Sequence, residues 1–455
     1  MPFYLYISLL AVYLFMPNIF IENNLVFGLA MFAYVLGRFV WRLGKKLDAL
    51  SVMALYATGA YLLAPALSYY LVETDWYKGF NTMSVPYEEY FRVAVPGILA
   101  LLGGLSFPYK SLDYEFEKPI ERIREYLEDK PLVGVQLFWT GIFCTLAMPF
   151  VPNALGFFFE LGSALVYIGA LYIWLSPTEI KLPYYIATAA MPLLNAIKGG
   201  MYGGIIFWGL LMLIMVLPSF KVKIHTRLLF VASGFLIVLF LQSVKYEIRR
   251  LTWFAYDDEV TGLDYKLDLY QRLIGDRVED PTLLFGEIML SGALDRTNQG
   301  SLTSMAIRYT PQFEPYANGE TIFLSTLGSF VPRFIWPDKP KAGGRENMLR
   351  FTGYDIGDVT AMDIGQLGDA YVNFGAKGGA VFLFFYGLLF CTVYMFMFKI
   401  SAESIPTLIL WIPLIYTGVS QADTSVLVCL NHLIKSSMFM LILFIGFEKI
   451  FGTKL

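Results

Sequence analysis

Apolar runs of roughly 17 residues or more recur along this chain, and each is long enough, as helix, to cross a bilayer core of about 30 Å. A chain built this way has no water-exposed fold in which to hide so many uncharged stretches. The charged fraction agrees: 16% of the 455 residues are Asp, Glu, Lys or Arg, against about 25% in soluble domains. The pattern predicts an all-α polytopic membrane protein with about twelve transmembrane helices, at 2–19, 24–43, 50–72, 91–107, 132–151, 154–176, 182–197, 200–218, 228–244, 376–399, 404–420 and 434–451. Pro192 predicts a kink or tilt in the seventh.

The chain divides accordingly into a nine-helix portion, 1–244, a long loop, 245–375, and a three-helix portion, 376–455. The N-terminal "MPFYLYISLLAVYLF" lacks the basic n-region and small-residue cleavage site of a secretory signal, so it reads as a retained first span. Basic residues in short loops set orientation. Arg38, Arg42, Lys45 and Lys46 follow the second helix, and Lys221, Lys223 and Arg227 follow the eighth. The intervening "NIFIENN" and "VPN" carry no basic residue. This asymmetry places both termini in the cytoplasm, in agreement with Lys449 and Lys454 in the tail. The charged segment 108–131 then reads as a cytoplasmic amphipathic surface helix.

The long loop is left on the outer side. A structureless connection of that length is improbable in a compact domain. "TLLFGEIMLSGALDR" (282–296) and "TIFLSTLGSFVPRFIW" (321–336) are apolar stretches too short to span, as in interfacial or re-entrant helices. The net charge of -3 points to no nucleic-acid partner. Three cysteines (Cys144, Cys391, Cys429) in or beside apolar segments read as packing residues rather than a disulfide framework. No histidine cluster or carboxylate pair stands at metal-ligand spacing, so neither a metal site nor a cofactor is expected.

The polar residues of the outer side need explaining. Gln242, Lys245 and Arg249 share one helical face at the mouth of the ninth helix. They could snorkel to headgroups or hold a pyrophosphate. In "LDRTNQG", Arg296 offers a planar fork to phosphate while Asn298 and Gln299 suit sugar hydroxyls; a capped turn with a surface arginine is the plain alternative. "FVPRFIWPDKPKAGGREN" (330–347) concentrates Arg333, Lys339, Lys341 and Arg345 around Asp338 and a bare "AGG". It reads either as a proline-stiffened hinge or as a phosphate cradle. In "DIGQLGDAYVNFGAKGG" (363–379), Asp369, Tyr371 and Asn373 lie near the membrane mouth, Asp369 as a general base or as a helix-end partner. His225 sits on a basic loop and reads as solvated. His432 falls between the last two predicted helices near Asp423 and Lys435, either as structure or as a proton acceptor.

Taken in order, "FLQSVKYEIR", "LDRTNQG", "PYANGET", "SFVPRFIWPDKPKAGG" and "GQLGDAYVNFGAKGG" resemble the bacterial O-antigen or oligosaccharide repeat-unit polymerases, the Wzy-like family, over about 242–379. The "PRxxWPDKP" and "GxxGDAYxNFG" stretches are the most specific parts. The resemblance implies a GT-C type glycosyltransferase of the bacterial inner membrane, with the long loop in the periplasm. Its donor and acceptor would be undecaprenyl-pyrophosphate-linked glycans, and a chain-length regulator and a flippase would be its partners. It implies donor pyrophosphate binding by Arg249, Arg296 and Arg333, with Lys245, Lys339 and Arg345 in support. Asn298, Gln299, Asp338, Tyr371 and Asn373 would then contact sugar, and Asp369, Glu320 or His432 would serve as base. Guanidinium groups can stabilise a pyrophosphate leaving group without a metal. An O-antigen ligase shares this donor chemistry, but the long loop lacks the histidine that reading favours. A lipid-linked oligosaccharide flippase would show ionisable residues within its spans.

Overall fold

The computed structural model describes residues 2–73, 82–109, 117–199, 203–252, 263–331, 335–336, 338–339, 344–357 and 361–455. Helices of eight residues or more are numbered in chain order. They begin with α1 (Pro2–Phe15), α2 (Asn24–Arg42), α3 (Leu50–Val72), α4 (Tyr87–Leu105) and α5 (Glu117–Leu127). There follow α6 (Val133–Phe150), α7 (Leu155–Leu175), α8 (Leu182–Gly199), α9 (Gly203–Phe220) and α10 (Ile224–Thr252). The long loop contains α11 (Leu263–Glu279), α12 (Glu287–Thr297), α13 (Gly300–Tyr309), α14 (Glu320–Phe330) and α15 (Arg345–Thr352). The chain closes with α16 (Gly365–Glu403), α17 (Ile412–Val419) and α18 (Val426–Phe451). No strand occurs among the described residues.

Eight helices among the described residues are long and apolar enough to cross a membrane: α2, α3, α6, α7, α9, the first part of α10, α16 and α18. Each coincides with an expected span. The other four expected spans differ for local reasons. The first breaks at Met16, because Pro17 has no N–H to continue the ladder and starts a separate short helix, Pro17–Glu22. The eleventh is divided between a 3-10 turn opened by Pro406 and α17. The fourth, within α4, carries Glu88, Glu89 and Arg92 at its start. The seventh, α8, runs through Pro192. Among the eight that coincide, the twelfth begins at Val426, two turns before the expected position.

Contacts sort the loops into two ends. At one end Arg227 donates to the Trp41 carbonyl (2.9 Å), Tyr394 to Leu47 (3.0 Å) and Tyr126 of α5 to Leu455 (3.0 Å). The expected amphipathic segment is therefore helical over Glu117–Leu127, with Ile120, Ile123 and Leu127 buried. At the opposite end lie the starts of α4, α13, α16 and α18 together with α14 and α15. Between the ends, α4 and α16 cross with their backbones in contact. A Cβ at Gly104 would strike the Phe384 carbonyl, and one at Gly387 that of Leu101. Small residues permit such closeness, and in lipid it is van der Waals packing that holds helices together. Gly141 and Gly169 do the same between α6 and α7.

Candidate functional site

Three helix starts meet at the end opposite the basic loops, and hydrogen bonds from the predicted residues join them. Asn298 accepts from the Ser301 N–H (3.2 Å) and so caps α13. Gln299 donates to the Asp363 carbonyl (2.6 Å) and Thr303 to that of Ile364 (3.0 Å), fastening α13 to the start of α16. Gly365 takes φ +78°, and any Cβ there would meet the Tyr61 hydroxyl and the Gln299 side chain. Tyr61 sits in a π-helical turn, Gly59–Leu63, within α3 and donates to Ala422 (2.7 Å).

Asp369 is buried, and its Oδ2 accepts from the Val426 N–H (2.8 Å). It is a helix-end partner, but of the α18 N-terminus rather than of an arginine, and a carboxylate is favoured at that positive end. Its Oδ1 is buried with no hydrogen-bond partner among the described residues. Asn373 joins Thr321 (2.6 Å) and the Asp369 carbonyl (2.8 Å), and Tyr371 donates to Thr310 (3.0 Å). Both are buried. Immediately beyond, Gly375 (φ +67°) breaks α16 into a ten-residue entry segment and the long apolar helix.

A cavity of about 300 Å³ opens beside this frame. Glu320, Trp336, Asp338, Asn347, Arg350, Asp363 and Ser425 line it. Asn318 and Gly319 in left-handed conformations turn the chain so that Glu320 opens α14. Gly344, also left-handed, starts α15, and a Cβ there would collide with Met362 and with the Asp363 carboxylate. The bare backbone expected to approach a ligand thus approaches Asp363. Arg350 is shared between Glu314 (2.6 Å) and Glu320 (3.3 Å). The wall therefore carries four carboxylates (Glu320, Asp338, Glu346, Asp363) and one guanidinium.

Asp363 is the tuned member. Burial pushes its carboxyl up to about 6; hydrogen bonds from the Ser425 N–H and hydroxyl pull it down, and Asp423 adds to the rise. A carboxylate so placed takes a proton near neutral pH more readily than an ordinary aspartate. A cavity walled by carboxylates, an amide and an indole suits a hydroxyl-rich ligand.

The two described members of the expected cationic cluster, Lys339 and Arg345, are spent on structure. Lys339 is buried, and its ammonium donates to the Gly328 and Val331 carbonyls (2.6 Å each), closing the C-terminus of α14. Arg345 makes a bidentate pair with Asp355 (3.0 and 3.2 Å). Lys245 is buried on α10. Arg296 differs, with a side chain 61% exposed and a 3.8 Å ion pair to Asp423. His432 lies inside α18, its Nε2 2.8 Å from the Leu414 carbonyl and its ring against Gly418. That places it within a candidate span and outside the cavity lining. Arg333, Lys341 and the side chain of Arg249 lie outside the described residues. The structure thus brings Glu320 and Asp338 together at one cavity, and puts Asn298, Gln299, Asp369, Tyr371 and Asn373 in the frame behind it.

A family profile matches residues 69–450, the greater part of the chain, and its description is a domain of unknown function, DUF8712. The chain belongs to DUF8712. No curated protein and no solved structure matches it. For this DUF8712 chain, sequence reasoning passed over Asp363 and Arg350. Asp363 opens the very stretch in which Asp369 was singled out, two residues before the glycine that starts α16. An acid directly ahead of a helix start was the available signal. Arg350 carried none, because its partners Glu314 and Glu320 lie 36 and 30 residues away.

Proposed function

We propose that the chain is a GT-C type glycosyltransferase of the bacterial inner membrane that polymerises undecaprenyl-pyrophosphate-linked oligosaccharide repeat units. On this reading twelve spans are present, with both termini cytoplasmic and the cavity in the periplasm. A chain-length regulator and a flippase would be its working partners. The observation that carries the reading is the carboxylate- and tryptophan-walled cavity, with the exposed Arg296 ion-paired to Asp423, two residues from the Ser425 that lines it.

The chemistry assigned to these groups is a single displacement. An acceptor hydroxyl attacks the donor anomeric carbon, the bond from that carbon to the pyrophosphate oxygen breaks, and the hydroxyl proton passes to the Asp363 carboxylate. Trp336, Asp338 and Asn347 orient sugar, and Arg296 meets the charge that develops on the leaving pyrophosphate. Loss of one such preorganised donor typically lowers kcat by about 10²–10³. Among the earlier candidates for the base, Glu320 shares the cavity with Asp363, whereas Asp369 and His432 are engaged with backbone groups.

Purified protein with an undecaprenyl-pyrophosphate repeat unit tests the reading. Wild type is expected to produce a polymer ladder, and Arg296→Ala and Asp363→Asn to lose it at unchanged protein yield. Lipid-linked glycan crossing proteoliposomes with no ladder formed would make the protein a transporter instead.

A further inference from the structure

Apart from the carboxylate cavity, and sharing no lining residue with it, α1, α4 and α16 leave a groove of about 750 Å³ between them. Its floor is apolar: Leu10, Leu14, Pro96, Ala100, Val381 and Phe384. Its polar residues gather at one end. Tyr13 donates to the Arg92 carbonyl (3.2 Å), Asn18 follows the break at Pro17, and Lys377 stands two residues past the kink at Gly375. This is the end at which α4 and α16 start. The Phe384 side approaches Gly103, well down α4. The groove is therefore cationic at its mouth and apolar along its length.

Two further facts narrow the occupant. Arg92 and Lys377 are exposed and make no ion pair among the described residues, although Glu88 and Glu89 precede Arg92 by one turn. Leu14 (70% exposed), Val381 and Phe385 leave the groove open sideways, where a bilayer would lie. Two cations above an apolar channel complement an anionic head carried on a hydrocarbon chain. Lateral openness lets a second chain remain in the bilayer, and mass action favours the lipid that the bilayer supplies in bulk.

We propose that this groove binds an anionic phospholipid, its phosphate held by Arg92 and Lys377 and one acyl chain lying along Leu10, Pro96, Ala100 and Phe384. The proposal is independent of the glycosyltransferase reading, since it invokes none of the residues of the carboxylate cavity.

Native mass spectrometry of the full chain tests it, with phosphatidylglycerol, phosphatidylcholine and undecaprenyl phosphate added separately to delipidated protein. Wild type is expected to retain one phosphatidylglycerol per chain with about 30-fold preference over phosphatidylcholine, as two surface cations at about 1 kcal/mol each give. The Arg92→Gln/Lys377→Gln double variant is expected to lose that preference. Ala380→Trp, which fills the groove and leaves both cations in place, should abolish the adduct while thermal unfolding stays unchanged. Equal binding of the two phospholipids by wild type, or a preference that survives the double variant, would overturn the proposal. So would binding of undecaprenyl phosphate that is tighter than that of phosphatidylglycerol and is abolished by Ala380→Trp.

Discussion

Asp363 and Asp369 stand six residues apart and face the same helix start, yet their surroundings give them different capacities. Asp369 is sealed in, one oxygen on the Val426 N–H and the other without a partner among the described residues. Asp363 reaches the cavity, where burial raises its carboxyl to about 6. A base must be deprotonated to act, so the rate of polymer formation is expected to fall as pH drops through about 6. Asp363→Asn should leave a low, pH-independent residue of activity, at least 10²-fold down. An acidic limb unchanged in that variant would assign the base elsewhere. Lys339 teaches a related lesson. In sequence it belongs to a dense cationic loop, but its ammonium is consumed by two carbonyls at the C-terminal end of α14, Gly328 and Val331. Charge density in a loop does not measure the charge available to a ligand.

Helix ends, rather than helix faces, build the cavity. The α18 start is served by Ser425, whose hydroxyl accepts from Val428 (3.4 Å), and by the carboxylates of Asp363 and Asp369. Removing the Ser425 hydroxyl deletes an N-cap, at a typical cost of about 1 kcal/mol. It also takes from Asp363 a hydrogen bond that favours its charged form. Ser425→Ala is therefore expected to lower thermal stability slightly and to move the acidic limb upward from about 6. A limb that stays in place, measured by a pH–rate profile, would uncouple the cap from the base. The kink at Gly375 belongs to this scale too. It separates the entry segment of α16, which carries Gln366, Asp369, Tyr371 and Asn373, from the long apolar helix that follows.

Across the whole molecule, the basic short loops, α5 and the C-terminus meet at one end, while the cavity and the helices of the long loop occupy the other. On the proposed orientation, the bias of lysine and arginine toward the cytoplasm puts the basic loops on the cytoplasmic side. In a variant with Cys144, Cys391 and Cys429 replaced by alanine, a cysteine at the exposed Tyr354 is expected to react with a membrane-impermeant maleimide in osmotically shocked whole cells. A cysteine at Lys454 should react only after the inner membrane is opened. The reverse pattern would invert the proposed orientation.

The sequence by itself determined the class of molecule, because the length and apolarity of a span are properties of contiguous residues. All eight span-length helices overlap spans that hydropathy marked, although the last begins two turns early. It also marked the long loop as helical in short pieces, as α12 and α14 are. Only the tertiary structure decided which polar residues bound the cavity and which brace it. Arg350 meets Glu314 and Glu320, Gln299 meets the Asp363 backbone, and Asp369 meets Val426 across separations of 30 to 64 residues. Hydropathy and spacing report on neighbours in the chain; partners that distant are set by how the helices pack.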